Sequence, residues 1–276
     1  MKDERMGDRD VLAIITSFNP CYKLKELVDT IWNDPSISTI AIYDNNSTKG
    51  TEVLREIEDT YREVNIVWSS SNDGLGIAYN HLIEKYLNKE KFIITFDQDS
   101  QIESMFVSSL KTSLIRENAH DIKVMSIGPR IVSVDNNKVK FESEIKRKPV
   151  LITSGNLFFT NMYTQVGGFD EELFIDCLDY DFSLKIRKQG FLLIQDRSIC
   201  LFQNIGDKVN GERFHSDLRM YYMMRNHIRL TRRYLFQFPM YIVFEDLMFI
   251  KYLFRWKRHV DSVIFKNIIK KAIREA

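Results

Sequence analysis

Four strand–turn–helix units follow one another in the first hundred residues, and this alternation constrains the fold more than any other feature of the chain. Each unit begins with a short run of apolar and branched residues, which is typical of a strand in a covered sheet. The runs cover residues 11–15, 37–43, 64–68 and 92–96. Apolar residues at helical spacing follow them, so right-handed crossovers should connect the strands. The sequence therefore predicts an α/β fold with a mostly parallel central sheet flanked by helices.

Polar residues follow each of the predicted strands. Thr16 follows the first strand, Asp44 the second, Asp73 lies in the turn after the third, and Asp97 and Asp99 follow the fourth. Ligands of open α/β sheets bind beyond the carboxyl ends of the strands, so a nucleotide-sized ligand can contact all of these residues. Ordinary turns are also rich in Asn, Asp, Ser and Gly, and simple turn chemistry is the alternative for each position.

Two carboxylates separated by one residue end the fourth strand, at Asp97 and Asp99. Carboxylates held at a strand end can share a divalent ion, because Mg²⁺ or Mn²⁺ accepts a few protein oxygens and keeps other positions for phosphates and water. The pair therefore predicts a metal site. Since short motifs recur by chance, a strand that ends in a solvated acidic turn is the alternative.

A second acidic cluster contains Asp176, Asp179 and Asp181. If a helix runs through the cluster, Asp176, Asp179 and Ser183 lie on one face of it, and Asp181 points away. Acidic residues also favour the N-terminus of a helix because of its dipole, which gives the cluster a purely structural alternative.

The overall charge argues against nucleic acid as a partner. The 276 residues carry 39 basic and 38 acidic side chains, a net charge of +1, so no global field recruits a polyanion. Residues 219–276 hold 13 Lys or Arg against 4 Asp or Glu, which makes this segment +9. Its basic residues alternate with large apolar ones and do not form an exposed basic stripe, so we expect no nucleic-acid binding.

The cysteine pattern and the hydropathy favour a cytoplasmic protein. Cys21, Cys177 and Cys200 are odd in number and far apart, which does not suggest a disulfide framework. The charged start of the sequence lacks the apolar core of a signal peptide, and no stretch approaches the ~20 apolar residues of a membrane-spanning helix.

Five motifs occur in a recognisable order along the chain. They are Thr16-Ser17-Phe18-Asn19-Pro20, Asp44-Asn45-Asn46-Ser47, Asn72-x-Gly74-x-Gly76, Asp97-Gln98-Asp99-Ser100 and Gly167-Gly168-Phe169-Asp170-Glu171. With these motifs the chain resembles glycosyltransferase family 2, since five ordered motifs are far more specific than one. The segments Phe174-Ile175-Asp176-x-x-Asp179 and His215-Ser216-x-x-Arg219 look like the bacterial rhamnosyltransferase branch of that family.

The resemblance implies a nucleotide-diphospho-sugar transferase fold of the GT-A type and an inverting transfer to an acceptor hydroxyl. It implies that Asp179 is the general base and that Mg²⁺ or Mn²⁺, bound by Asp99 and Asp97, stabilises the leaving diphosphate. The nucleotide-sugar-binding residues that it implies are Thr16, Asn19, Asp44, Asp73, Gly74, Asp97, Asp176 and Arg225.

One position departs from the family pattern. Gln203 stands before Ile205-Gly206 where relatives usually carry a histidine, and a neutral amide is a weaker ligand for a metal. His215 is a candidate for the third metal ligand in its place. A lone histidine that opens a helix is more often structural, so both roles stay open for His215.

The resemblance implies that the donor is dTDP-rhamnose and that the acceptor is a cell-surface glycan or its lipid-linked precursor. Because a fold does not fix a function, the alternative is a non-catalytic nucleotide-sugar-binding or scaffold protein on the same fold. The intact acidic residues Asp97, Asp99 and Asp179 favour the enzyme, and Gln203 favours the alternative.

The chain is predicted to divide into a nucleotide-sugar-binding catalytic domain, residues 1–214, and a C-terminal extension of two or three helices, residues 215–276. Aromatic and basic residues alternate in the segment 234–276. A helix with aromatics on one side and Lys or Arg on the other can lie peripherally on the inner face of the cell membrane. In the alternative, the aromatics pack on the catalytic domain or against the second subunit of a homodimer.

Overall fold

A computed structural model describes residues 9–134, 143–203, 208–209, 212–213 and 216–276 of the protein. Ten strands were located in these residues: β1 Val11–Ser17, β2 Ile37–Asp44, β3 Val64–Trp68, β4 Phe92–Asp97, β5 Val124–Ser133, β6 Ile145–Lys148, β7 Asn156–Phe159, β8 Leu192–Gln203, β9 Lys208–Val209 and β10 Glu212–Arg213. The helices are α1 Lys23–Trp32, α2 Thr51–Thr60, α3 Leu75–Tyr86, α4 Phe106–His120, α5 Thr160–Val166, α6 Leu178–Lys188, α7 Asp217–Tyr234, α8 Pro239–Trp256 and α9 Ser262–Glu275.

Eight strands form one sheet in the order β3-β2-β1-β4-β7-β5-β8-β6. The first four strands are parallel, with β1 between β2 and β4. The short strand β7 is antiparallel to both β4 and β5, and β6 is antiparallel to β8. The predicted α/β fold with a mostly parallel sheet is confirmed, and the antiparallel strands occur where the strand–helix repeat of the sequence stops.

Both faces of the sheet are covered by helices. All seven residues of β1 are buried, and their side chains alternate between two apolar clusters. Val11, Ala13 and Ile15 pack with residues of α1, α2 and α4, whereas Leu12 and Ile14 pack with residues of α3 and α6. This alternation explains why β1 is a continuous apolar run, because a strand that is covered on both faces has no solvent side.

Two glycines bring the start of α3 against residues 170–177, the acidic segment that precedes α6. A Cβ atom at Gly74, which has a φ of 83°, would lie 2.6 Å from the carbonyl oxygen of Phe174, and one at Gly76 would lie 2.4 Å from that of Asp170. The backbone N–H of Leu75 donates to the Phe174 carbonyl over 2.8 Å. Only glycine allows this approach, so the Gly-x-Gly motif helps to position the acidic segment.

The described part of the C-terminal extension consists of α7, α8 and α9. The side chain of Ser216 caps α7 by accepting a hydrogen bond from the backbone N–H of Arg219, and Pro239 occupies the first turn of α8. Three helices agree with the predicted two or three. The predicted boundary between residues 214 and 215 lies outside the described residues and stays a prediction. Among the helices that the structure describes, none is long and apolar enough to cross a membrane.

Candidate active site

A cavity of about 830 Å³ lies at the carboxyl ends of β1 and β4. It is bounded by the ends of these strands, by the acidic segment before α6 and by the inner sides of α7 and α8. The sequence-predicted residues that line it are Thr16, Asp97, Asp99, Asp176 and Asp179. The topology brings them together because β1 and β4 are parallel neighbours, in which Thr16 pairs with Asp97. The predicted convergence of polar strand ends is thus observed for these two strands.

The loops after β1 and β4 are tied to each other by Gln98. Its side-chain carbonyl accepts a hydrogen bond from the backbone N–H of Phe18 over 2.9 Å, and its side-chain amide donates to the Phe18 carbonyl over 3.0 Å. These two bonds fix the residue between the acids, so Asp97 and Asp99 are both held on the wall of the cavity.

Gln203 lies between the two carboxylates of the Asp97-x-Asp99 pair. Its amide nitrogen is 2.8 Å from Oδ2 of Asp97 and 3.3 Å from Oδ1 of Asp99. Burial, with the charge of Asp99 nearby, raises the pKa of Asp97 to about 6, although the Gln203 hydrogen bond opposes the shift. Two carboxylates that face one point, with the pKa of Asp97 raised, form a site that gains from a positive charge.

The donor set around this point fits a hard divalent cation. Asp97 and Asp99 offer carboxylate oxygens, and the Gln203 side chain would offer its carbonyl oxygen if the amide turned over, because the orientation of an amide is an assignment. Within the parts of the chain that the structure describes, no cluster of three His, Cys, Asp or Glu residues is placed to hold a metal. His215, the predicted third ligand, lies outside the described residues, so its role stays a prediction.

The acidic segment does not begin as a helix. Asp176 and Cys177 both have left-handed backbone angles, with φ of 61° and 64°, and α6 starts only at Leu178. The prediction that Asp176 and Asp179 share a helical face is therefore wrong, yet both side chains line the cavity. Non-glycine residues rarely adopt such angles, and clusters of them occur at functional sites.

Contacts from α7 hold this strained turn in place. The buried side-chain amide of Asn226 donates to the carbonyl oxygens of Ile175 and Asp176 over 2.8 and 3.1 Å. Arg219 makes a two-pronged ion pair with the Asp176 carboxylate at 3.0 and 2.9 Å. The C-terminal extension thus shapes the acidic wall of the cavity.

Asp179 stands at the first turn of α6. Burial raises its pKa to about 7, the hydrogen bond from the Tyr180 N–H opposes this shift, and the charges of Asp176 and Asp97 add to it. A carboxylate with a pKa near neutrality is well suited to accept a proton from a hydroxyl group. Asp181, by contrast, is fully buried and pairs with Arg233 at 2.5 Å, so it points away from the cavity as predicted.

Other predicted binding residues support loops beside the cavity and do not line it. Asp44 accepts hydrogen bonds from the backbone N–H and the hydroxyl of Ser47. The Asn19 side chain accepts from the N–H groups of Thr48 and Lys49, and Asp73 accepts from three hydroxyl groups, including that of Tyr43 at 2.7 Å.

Gly74 and Arg225 also lie away from the cavity wall. Gly74 packs against Phe174. Arg225 donates to the Glu172 carbonyl over 2.6 Å and stacks over the Tyr222 ring. Together with Asn19, Asp44 and Asp73, these residues stay predictions as contacts of a nucleotide sugar.

Six cavity residues from α7 and α8 were not predicted. They are Arg219, Met223, His227, Glu245, Phe249 and Tyr252. Glu245, Phe249 and Tyr252 are spaced at i, i+4 and i+7, so the sequence alone indicates that they share one face of a helix. The sequence did not indicate that this face meets the acidic residues of the cavity.

The raised pKa values of Asp97 and Asp179 predict a pH-dependent stability. Because folding favours the protonated forms, the stability that these groups contribute is present below about pH 4 and is lost as the pH rises through about 6 to 7. In the absence of metal at about pH 8, Asp179→Asn should therefore be more stable than the parent by about 1 kcal/mol, or about 2–4 °C in Tm. Thermal unfolding in EDTA tests this, and the difference should vanish near pH 4. A parent that is as stable as the variant at both pH values would contradict the prediction.

Comparison with solved structures places the fold. The chain is similar to the crystal structure of GalNAc-T7 with UDP, GalNAc and Mn²⁺, with a TM-score of 0.65 and 14% identity over 84% of this chain and 49% of that one. It is also similar to the mannosyltransferase PcManGT from Pyrobaculum calidifontis in complex with GDP-Man and Mn²⁺, with a TM-score of 0.60 and 14% identity over 81% of this chain and 64% of that one. The chain thus spans about half the length of the first protein and just under two thirds of the length of the second. The predicted GT-A fold is confirmed.

Sequence comparison gives the family. A relative named dTDP-rhamnosyl transferase RfbF, from Shigella flexneri, is 28% identical in an alignment 248 residues long that covers 81% of this chain and 80% of the relative. The family model described as glycosyl transferase family 2 matches residues 12–169. This span begins at the second residue of β1 and includes β2, β3, β4, Asp97 and Asp99. Because this match includes more than half of the 276 residues, the chain belongs to glycosyl transferase family 2.

Proposed function

We propose that the protein transfers rhamnose from dTDP-rhamnose to an acceptor hydroxyl of a cell-surface glycan or its lipid-linked precursor, with inversion at the anomeric carbon. One observation carries this proposal: a single cavity brings together the carboxylate pair Asp97 and Asp99 and a third carboxylate, Asp179, whose pKa is near neutrality. The similarity to a protein named dTDP-rhamnosyl transferase supports the donor.

In this proposal Asp179 acts on the acceptor. Its carboxylate takes the proton of the acceptor hydroxyl as the oxygen attacks the anomeric carbon, and the bond from that carbon to the diphosphate oxygen breaks with its electron pair on the diphosphate. A single base and a direct displacement give inversion of configuration. Partial burial of Asp179 limits the access of water, which would otherwise compete with the acceptor.

Asp97 and Asp99 are proposed to face the diphosphate of the donor, with Gln203 beside them. Mg²⁺ or Mn²⁺ held by these side chains would supply Lewis-acid stabilisation of the charge that develops on the leaving nucleoside diphosphate. Arg219 lies on the same cavity wall as a fixed positive charge, because its pair with Asp176 orients the guanidinium group.

Gln203 also supports a second candidate, a non-catalytic nucleotide-sugar-binding protein. Its amide nitrogen contacts both carboxylates at the point where a cation would sit. If the amide substitutes for the cation, nucleotide sugars would bind without metal and without turnover. Donor turnover separates this candidate from the enzyme.

A donor panel tests the proposed function. With Mn²⁺ present, the full chain should release nucleoside diphosphate fastest from dTDP-rhamnose and more slowly from uridine-linked glucose or galactose, because the similarity to the rhamnosyl transferase supports a thymidine-linked deoxysugar. Faster release from a uridine-linked hexose would overturn the donor assignment. Binding of every donor without release from any would favour the non-catalytic candidate.

A further inference from the structure

The helix α8 has an apolar face that nothing in the described structure covers. This outer face of α8 consists of Met240, Val243, Phe244, Leu247, Met248, Ile250 and Phe254, with exposed fractions of 88, 48, 59, 55, 47, 46 and 64%. The residues recur at intervals of three and four, so they form one continuous stripe along the helix. Eighteen residues of helix are about 27 Å long, and single exposed apolar residues are common whereas a stripe of this size marks a contact surface.

The opposite side of α8 is already in use. Glu245, Phe249 and Tyr252 line the cavity, Ile242 and Trp256 are buried, and Asp246 accepts hydrogen bonds from His227 and Thr231. The inner side of α8 is therefore the side that packs against the rest of the protein, and the outer face is the opposite side. Packing fixes which side of α8 is presented to the surroundings.

The charges on α8 are divided between the two sides. Both acidic residues, Glu245 and Asp246, belong to the inner side, whereas Lys251 and Arg255 are exposed at the C-terminal end of the outer face. Lys257 and Arg258 follow directly and are also exposed. The outer face of α8 therefore combines apolar and cationic groups, and it carries no acidic residue of this helix.

A further exposed aromatic residue precedes α8 in the chain. Phe236, three residues before the helix, is 91% exposed, which is the largest exposed fraction among the large apolar residues. Arg232, at the end of α7, is exposed as well. Aromatic rings beside cations are typical of the boundary between lipid headgroups and acyl chains.

We propose that the outer face of α8 docks onto the surface of an anionic phospholipid bilayer. Apolar side chains gain free energy when they enter the headgroup boundary, and Lys251 and Arg255 gain from anionic headgroups. A second copy of this chain would bring the same cations and no acid from its own outer face of α8, so that face would offer Lys251 and Arg255 no ion-pair partner. Charge complementarity therefore favours an anionic lipid surface over self-association.

Docking in this orientation places the cavity next to the bilayer. Glu245, Phe249 and Tyr252 line the cavity on one side of α8 while the outer face contacts lipid on the other. The separation is then about one helix diameter, roughly 10–12 Å. A lipid-linked acceptor would reach Asp179 from the membrane, and this consequence, unlike docking itself, rests on the proposed function.

Vesicle sedimentation of the full chain tests the docking. The chain should sediment with vesicles of phosphatidylglycerol and phosphatidylcholine at low salt and far less with vesicles of phosphatidylcholine alone. The double variant Phe244→Glu, Phe254→Glu should lose at least about tenfold in partitioning because charges replace inserted rings. Ile122→Glu is the matched control, since Ile122 is 79% exposed but lies between α4 and β5, and it should bind as the parent does.

A second variant tests the electrostatic part. Lys251→Gln, Arg255→Gln removes two cations from the outer face and should weaken binding to the anionic vesicles by roughly 25-fold, about fivefold for each side chain. These side chains are exposed, so circular dichroism should show an unchanged fold. No sedimentation of the parent, or equal sedimentation of parent and variants, would overturn the proposal. It would also be overturned by a dimer in light scattering that Phe244→Glu, Phe254→Glu dissociates, because the face would then belong to a second copy.

Discussion

Replacing Asp179 with asparagine is expected to lower kcat for sugar transfer by about 10²–10⁴-fold, because a neutral amide cannot take the proton of the acceptor hydroxyl. The affinity for the donor should change little, since the side chains proposed to face the diphosphate, Asp97 and Asp99, remain in place. Steady-state turnover and calorimetry of donor binding measure the two effects separately.

Asp181→Asn provides a control from the same acidic cluster. Asp181 is fully buried and pairs with Arg233 and Lys185, so its replacement should lower Tm, whereas the folded fraction should keep its kcat. An Asp179→Asn protein with full activity would return Asp179 to a purely structural role at the start of α6.

Removal of metal, or replacement of Asp99 with asparagine, is expected to weaken both donor binding and turnover by about 100-fold or more, because the diphosphate then meets uncompensated carboxylates. The pKa of Asp97, raised to about 6, adds a pH dependence. Metal binding must displace a proton below this pH, so the affinity for Mn²⁺ should rise as the pH increases through about 6.

Calorimetry of thymidine diphosphate with and without EDTA measures this effect directly. Asp121→Asn is a suitable control, because the Asp121 carboxylate contacts the exposed Arg147 and the backbone N–H of Lys123 and is not part of the cavity wall. Equal affinity for thymidine diphosphate in Mn²⁺ and in EDTA would contradict metal-assisted binding, and Gln203 would then be the group that stabilises the carboxylate pair.

The parallel half of the sheet was predictable because its signals are local. β1 and β4 are apolar runs bounded by polar residues, and both are observed within one or two residues of the predicted limits. The meeting of Thr16 with Asp97 follows from the parallel pairing of these strands. Any chain with this alternation of strands and helices would place its polar strand ends on one edge.

The conformation of the acidic segment could not be predicted from local sequence. Asp176 and Cys177 adopt left-handed backbone angles because Asn226, fifty residues later, binds the carbonyl oxygens on this turn. A helix was the better prediction from residue spacing alone. Tertiary contacts overrode that local preference, as they often do at functional sites.

The aromatic residues of the C-terminal extension show the same limit. Tyr234 and Trp256 are buried, whereas Phe236, Phe244 and Phe254 are exposed. From the sequence, these aromatic residues could either pack inside the protein or form an exposed contact surface. In the structure, some of them pack inside and others are exposed. Helical spacing groups residues into faces, but only the packing of α8 against α7 decides which face is covered.

The stereochemistry of the product tests the central claim most directly. Nuclear magnetic resonance spectra of the product formed from dTDP-rhamnose by the full chain should show a new glycosidic bond with the anomeric configuration opposite to that of the donor. This result is expected because one base, Asp179, directs one displacement. A product with the donor's configuration, or the absence of any glycosidic product, would contradict it.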